Sequence, residues 1–224
     1  MPETAQNILT ANHKYSKYKL PAALAVLVIF HCVGLWGMLF SSDVASFQKL
    51  TPLNLILTNV LLFAFHRNWN FTFILFAVVV AVVGFMAEVV GVHTGLLFGN
   101  YAYGASLGTK VWEVPLLIGL NWLMLVYTTG HIANQLKVPK LIKALIGAAL
   151  MVLLDFLIEP VAMKYDFWDW KDAVIPASNF AGWLVLAFLL HIYFQTTAIF
   201  KKNVLAPAVY VIQLLFFLTL YLNI

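Results

Sequence analysis

The chain has 224 residues, of which 63% are hydrophobic and only 10% charged; its mean hydropathy is +0.92 and its formal net charge +4. A water-soluble domain of this length cannot hide that much apolar surface, whereas a helical membrane protein can turn it toward lipid. The single cysteine, Cys32, lies in an apolar stretch, which excludes a disulfide framework and a thiolate metal site.

Apolar runs cover approximately 21–40, 52–66, 71–91, 114–130, 141–159, 180–199 and 204–222. As helices most are long enough to cross about 30 Å of hydrocarbon, and the second is short. Lys14, Lys17 and Lys19 precede the first run; Arg67, then Lys137, Lys140 and Lys143, then Lys201 and Lys202 fall in the even-numbered connections. That is nine basic residues on one side. The other side carries Lys49, Lys110, Lys164 and Lys171, with the acids Asp43, Glu113, Asp166, Asp169 and Asp172. The excess of positive charge predicts a cytoplasmic N-terminus and a C-terminus outside. No small-residue cleavage site follows the first run, so it is expected to remain as a helix. The predicted fold is all-α: a polytopic integral bundle of about seven transmembrane helices in the cell membrane. Residues 1–20 form a cytoplasmic tail and 21–224 one domain. The two longest connections, 92–113 and 160–179, both fall outside. The net charge is read as topology, with the bilayer as partner, and not as a nucleic-acid surface.

Three carboxylates lie within runs: Glu88, Asp155 and Glu159. An ionised carboxylate in lipid is costly, so each is expected to face the bundle interior, where it can be held neutral. Asp155 and Glu159 stand four residues apart on one helical face, Asp155 about 6 Å deeper. The helix is expected to end at Pro160, with Glu159 nearer water. With Glu88 about one turn from its own helix end, all three belong to the same outer layer. Gly84 and Gly91 flank Glu88 at helical spacing and permit a close neighbour. Asn121, two turns into the fourth run, and Asn179, at the start of the sixth, extend the polar layer. Tyr101, Tyr103, Trp112, Trp168, Trp170 and Trp183 ring its mouth; an interfacial aromatic belt accounts for most of them.

No two of His13, His31, His66, His93, His131 and His191 are three or four residues apart, so no helix presents the histidine pair that iron-dependent membrane oxygenases require. His93, just past Glu88, is a candidate proton-handling group; the other runs' histidines read as structural. There is no phosphate loop, nucleophile elbow or dinucleotide fingerprint, and the last run has no lysine for a retinal Schiff base. No metal or cofactor is expected. Buried carboxyls among aromatics suit acid–base chemistry: a neutral carboxyl donates a proton, a second orients water, and aromatic faces stabilise a cation in between. An isoprenoid double bond is the matching substrate.

The blocks EVVGVHTGLLFGNYAYGASLG, VPLLIGLNWLMLVY, LLDFLIEPVAMKYDFWDW and IPASNFAGWL, in that order within residues 84–190, resemble the carotenoid biosynthesis membrane protein family. That family includes the carotenoid 1,2-hydratases, also called bisanhydrobacterioruberin hydratases. The resemblance implies that Glu88, His93, Asn121, Asp155, Glu159 and Asn179 hold the family's acidic and polar positions. Aspartate is expected where this chain has Glu159. It also implies hydration of the terminal double bond of a linear (ψ) carotenoid such as lycopene, alongside other carotenoid biosynthesis enzymes. In this reading Glu88, Asp155, Glu159 and His93 supply the chemistry, Glu88 or Asp155 being the acid. Asn121, Asn179, Tyr101, Trp112 and Trp183 hold the substrate. The same residues also fit a cyclase, in which a neighbouring double bond traps the cation, or a membrane transporter or carotenoid-binding scaffold.

Overall fold

A computed structural model describes the chain from residue 3, with side chains from Tyr18 onward; the side chains of His13, Lys14 and Lys17 in the expected tail lie outside the described residues. The helices are α1 (Glu3–Phe40), the short α2 (Val44–Lys49), α3 (Thr51–Ala64), α4 (Phe71–Thr94), α5 (Leu117–Asn134), α6 (Lys140–Lys164), α7 (Ala177–Thr196) and α8 (Ala206–Tyr221). The predicted all-α class holds, and each apolar run becomes one helix. Four segments, Tyr18–Phe40, α4, α6 and α7, are long and apolar enough to cross a membrane.

Helix α5 is the axis. It packs against α3, α4, α6, α7 and α8, and from Ile118 to Ala133 nearly every residue is buried. A helix apolar on all sides belongs at the centre of a bundle. Trp122, Tyr127, Phe73, Phe76 and Phe194 fill the space around it. The outer faces of α1, α4, α6 and α7 present Ile29, Trp36, Val78, Phe156 and Val185, an apolar exterior that lipid covers.

Helix α4 starts at Asn70, whose side chain accepts from Phe73 N–H, and stops at Gly95, whose φ of 67° turns its N–H back to the Gly91 carbonyl. Helix α6 corrects an expectation. It does not end at Pro160 but continues to Lys164. Proline's fixed φ is helical, and its cost is the bond to the carbonyl four residues back. Ile158, Val161 and Ala162, all buried on either side, hold the helix together across that gap.

The two long connections form the remaining order. β1 (Tyr101–Tyr103) pairs antiparallel with β4 (Trp168–Trp170), in the register Tyr101↔Trp170, Ala102↔Asp169, Tyr103↔Trp168. Strand side chains alternate faces, so Ala102 and Asp169 point outward while the four rings lie on the other face. A second small hairpin joins β2 (Lys110–Val111) to β3 (Val114–Pro115), with Trp112 and Glu113 at its tip, both at positive φ.

Candidate active site

The end of the bundle beneath β1 and β4 gathers the three carboxylates. Glu88 on α4 is 3% exposed, and Asp155 and Glu159 on α6 are 1% exposed each. Glu159 is therefore no nearer water than Asp155, contrary to expectation, because α6 runs on past it under the strand pair.

Each carboxylate has its own donors. Glu88 Oε2 accepts from the hydroxyls of Tyr101 at 2.5 Å and Tyr103 at 2.9 Å, and its Oε1 from the Trp122 indole at 3.0 Å. Two glycines make this possible. A Cβ on Gly84 would lie 2.5 Å from Trp122 Cβ, and one on Gly91 would lie 2.9 Å from the Tyr101 hydroxyl. The glycines one turn either side of Glu88 thus seat two of its three partners. Glu159 Oε2 accepts from the indoles of Trp168 at 3.0 Å and Trp170 at 2.5 Å, and its Oε1 from Asn179 Nδ2 at 2.8 Å. Its extra methylene relative to aspartate carries the carboxylate toward the indoles of the strand pair. Asn179 Nδ2 also donates to Asp155 Oδ2 at 3.0 Å, joining the two α6 acids. Asp155 has this one donor, against three for each glutamate. Burial and the neighbouring Glu88 carboxylate push the Tyr101 and Tyr103 phenols well above their ordinary range, so they stay protonated and donate.

The carboxyls, Asn121, Asn179, Tyr101, Tyr103 and the indoles surround a cavity of about 30 Å³, room enough for a water. Trp183 closes one wall by stacking on Trp122, with ring centroids 4.3 Å apart. Across Ile118, Asn121, Ile158 and Trp168 lies a larger, mainly apolar cavity of about 190 Å³, bounded by α1, α2, α3, α5, α6 and α8. Asn121 lines both.

Of the residues singled out from the sequence, Glu88, Asp155, Glu159, Asn121, Asn179, Tyr101 and Trp183 meet here. His93 and Trp112 do not. His93 lies at the exposed end of α4, its Nδ1–H donating to the Val89 carbonyl and its Nε2 3.6 Å from Glu113. Trp112 is 61% exposed at the hairpin tip, because a two-residue turn with both residues at positive φ points its side chains away from the bundle. The belt reading fails for Tyr101, Tyr103, Trp168 and Trp170, which turn inward onto carboxylates. The alternations Tyr-Ala-Tyr and Trp-Asp-Trp carried the signal, since a period of two places both rings of each strand on one face. Trp122 was missed; its place two turns past Pro115, beside Asn121, marks it only once α4 is known to pack there.

The fold and site define a helical membrane protein with a buried carboxyl cluster beside an apolar cavity. The chain belongs to the carotenoid biosynthesis protein family, whose family model matches residues 50–224, and its role lies in carotenoid biosynthesis. It is similar to a bisanhydrobacterioruberin hydratase of Haloarcula japonica, with 28% identity over 111 residues covering 44% of this chain and 36% of the relative. The match thus spans little more than a third of that relative's length. No solved structure matches the chain.

Proposed function

We propose that the protein is a carotenoid hydratase, adding water to the terminal C1=C2 double bond of a linear ψ end group. The observation that carries this reading is the pair of adjoining cavities: an apolar one suited to an isoprenoid chain, and a water-sized one walled by three carboxyls. The hydratase name of the Haloarcula relative supports water addition.

Asp155 acts as the acid. Three donors each suit Glu88 and Glu159 to the ionised form, while Asp155, with a single donor on Oδ2, keeps Oδ1 for a proton. That proton adds to C2, the π pair forms the new C–H bond, and the more substituted C1 becomes the cation. The indole and phenol faces around the chamber stabilise it. Water held beside Glu88, Glu159 and Asn121 attacks C1 and loses a proton to one of the two carboxylates, from which a proton returns to Asp155. The product is a tertiary alcohol. The elements of water are added and no electrons change hands, so the step calls for no redox cofactor. The polyene lies among the helices of a multi-pass protein of the cell membrane, N-terminus inside, with its reacting end in the outer layer.

Expression in a lycopene-producing host tests the reaction. The expected pigment carries one added water per reacted end, its oxygen coming from heavy-oxygen water under anaerobic growth. A pigment of unchanged mass and altered ring number makes the protein a cyclase, and label from dioxygen overturns hydration. A reporter fused after Ile224 is expected to read as extracytoplasmic, and one in the 135–139 connection as cytoplasmic.

A further inference from the structure

At the end of the bundle away from the carboxyls, one corner collects hydrogen-bond donors that have no charged acceptor. Helix α6 begins there after Pro139, whose side chain does not cap it, and Lys143 N–H bonds the Pro139 carbonyl at 3.0 Å. The N–H groups of Lys140, Leu141 and Ile142 precede that bond and have no partner within the helix. Gln195 of α7 faces the same turn. Asn179 of α7 bonds Glu159 of α6, and a Cβ on Gly147 of α6 would lie 2.2 Å from His191 Cδ2 of α7. The same antiparallel register, continued one turn, sets Gln195 beside Lys143. Gln195 is 3% exposed, and its Nε2 is buried with no hydrogen-bond partner among the described residues.

Three ammonium groups complete the set. Lys143 Nζ donates to the Asn134 carbonyl at 3.0 Å, and Lys201 Nζ to the carbonyls of Gln195 at 3.2 Å and Thr197 at 2.7 Å, closing the C-terminal ends of α5 and α7. Those partners are neutral. No carboxylate pairs with either lysine, or with the exposed Lys140, among the described residues. Burial and the charges of Lys140 and Lys143 hold the Lys201 ammonium below its ordinary range, so the three stand close enough to repel. Ammonium groups, an unpaired buried amide and free helix N–H groups together call for an acceptor that carries negative charge.

We infer that this corner binds the phosphate group of an anionic phospholipid, held by Lys140, Lys143, Lys201, Gln195 and the first turn of α6. What lies beside it favours a lipid over free phosphate. Leu141 and Leu145, exposed and one turn apart on the outer face of α6, lead from the phosphate position toward the hydrocarbon layer along the course of an acyl chain. The inference rests on the placement of the bundle in a bilayer and is independent of the hydration reading.

Lipid retention tests this without turnover. Purified full-length protein in detergent micelles is mixed with equal amounts of phosphatidylglycerol and phosphatidylcholine of the same acyl chains, and bound lipid is counted by native mass spectrometry. One phosphatidylglycerol per protein is expected to be retained, about tenfold more tightly than phosphatidylcholine. Lys140→Gln removes a charge from an exposed side chain, and Gln195→Leu removes a donor without changing charge; each should lower that preference at least about threefold. Arg67→Gln, which takes the same charge from the α3–α4 connection on that face of the bundle, should leave it within about twofold. Equal retention of the two lipids by the native protein overturns the inference. So does a preference that falls as far in Arg67→Gln as in Lys140→Gln, the mark of a diffuse positive surface. Displacement of phosphatidylglycerol by millimolar inorganic phosphate assigns the corner to free phosphate and overturns the lipid.

Discussion

The two ends of the bundle hold their polar side chains in different ways. At the carboxyl end, Glu88 and Glu159 each gather three donors around a cavity: Tyr101, Tyr103, Trp168 and Trp170 from the strand pair, Trp122 from α5 and Asn179 from α7. At the other end, His131 and His191 each donate through Nδ1 to the carbonyl four residues earlier on their own helix. His66 stacks on Phe73 with centroids 3.6 Å apart and meets the Tyr127 hydroxyl at 2.8 Å, which also accepts from Asn203. None of these three histidines lines either cavity. Groups that pack against rings and bond between helices without bordering a cavity hold helices together. Groups that gather several donors and still border open space are organised for a ligand.

The largest expected effect falls on the acids. Asp155→Asn and Glu88→Gln keep size and one acceptor oxygen but remove the exchangeable proton and the charge, and each should lower turnover on the order of a hundredfold or more per folded molecule. Near-normal rates in both would make the carboxyl end as structural as the histidine end. Gly84→Ala comes next. Its methyl would strike Trp122, so the indole must leave Glu88 and activity should fall by at least about tenfold, while Val78→Ala, on the exposed face of the same helix, serves as the tolerated control. Trp170→Phe keeps the ring and deletes one donor to Glu159; the loss of a charged hydrogen bond corresponds to roughly tenfold in rate. Equal activity of Trp170→Phe and wild type would return Trp170 to the aromatic belt.

Tyr127→Phe sharpens the contrast from the other side. It strips partners from His66 and Asn203, so thermal stability in detergent should drop by about 1–3 kcal/mol while turnover per folded molecule stays the same. A change in rate instead would give the histidine end a part in the chemistry. The smallest effect is expected of His93→Ala, whose pairing with Glu113 is exposed and worth little; activity within twofold of wild type is the outcome that separates His93 from the site.

Much of this arrangement could be read before the fold was seen. Hydropathy alone located seven helices, because in a membrane protein the apolar run is itself the element. The cost of burying charge picked out Glu88, Asp155 and Glu159, since so few acids lie inside runs, and helical spacing explained Gly84 and Gly91. What spacing could not show was where the connections go. Tyr101, Tyr103, Trp168 and Trp170 resemble belt residues until β1 pairs with β4, a contact between segments more than sixty residues apart whose register rotates all four rings inward. His93 sits closer in sequence to Glu88 than any of these rings does to its acid, and Trp112 shares a connection with Tyr101 and Tyr103, yet an exposed helix end and a hairpin tip carry them away. The chain's composition and local periodicity thus determined a helical membrane protein with acids inside it, through transfer free energies that each residue carries with it. Which donors meet those acids, which acid is left with a single donor, and where the cavities open were decided only by tertiary structure, because hydrogen bonds and voids depend on how distant segments are brought together.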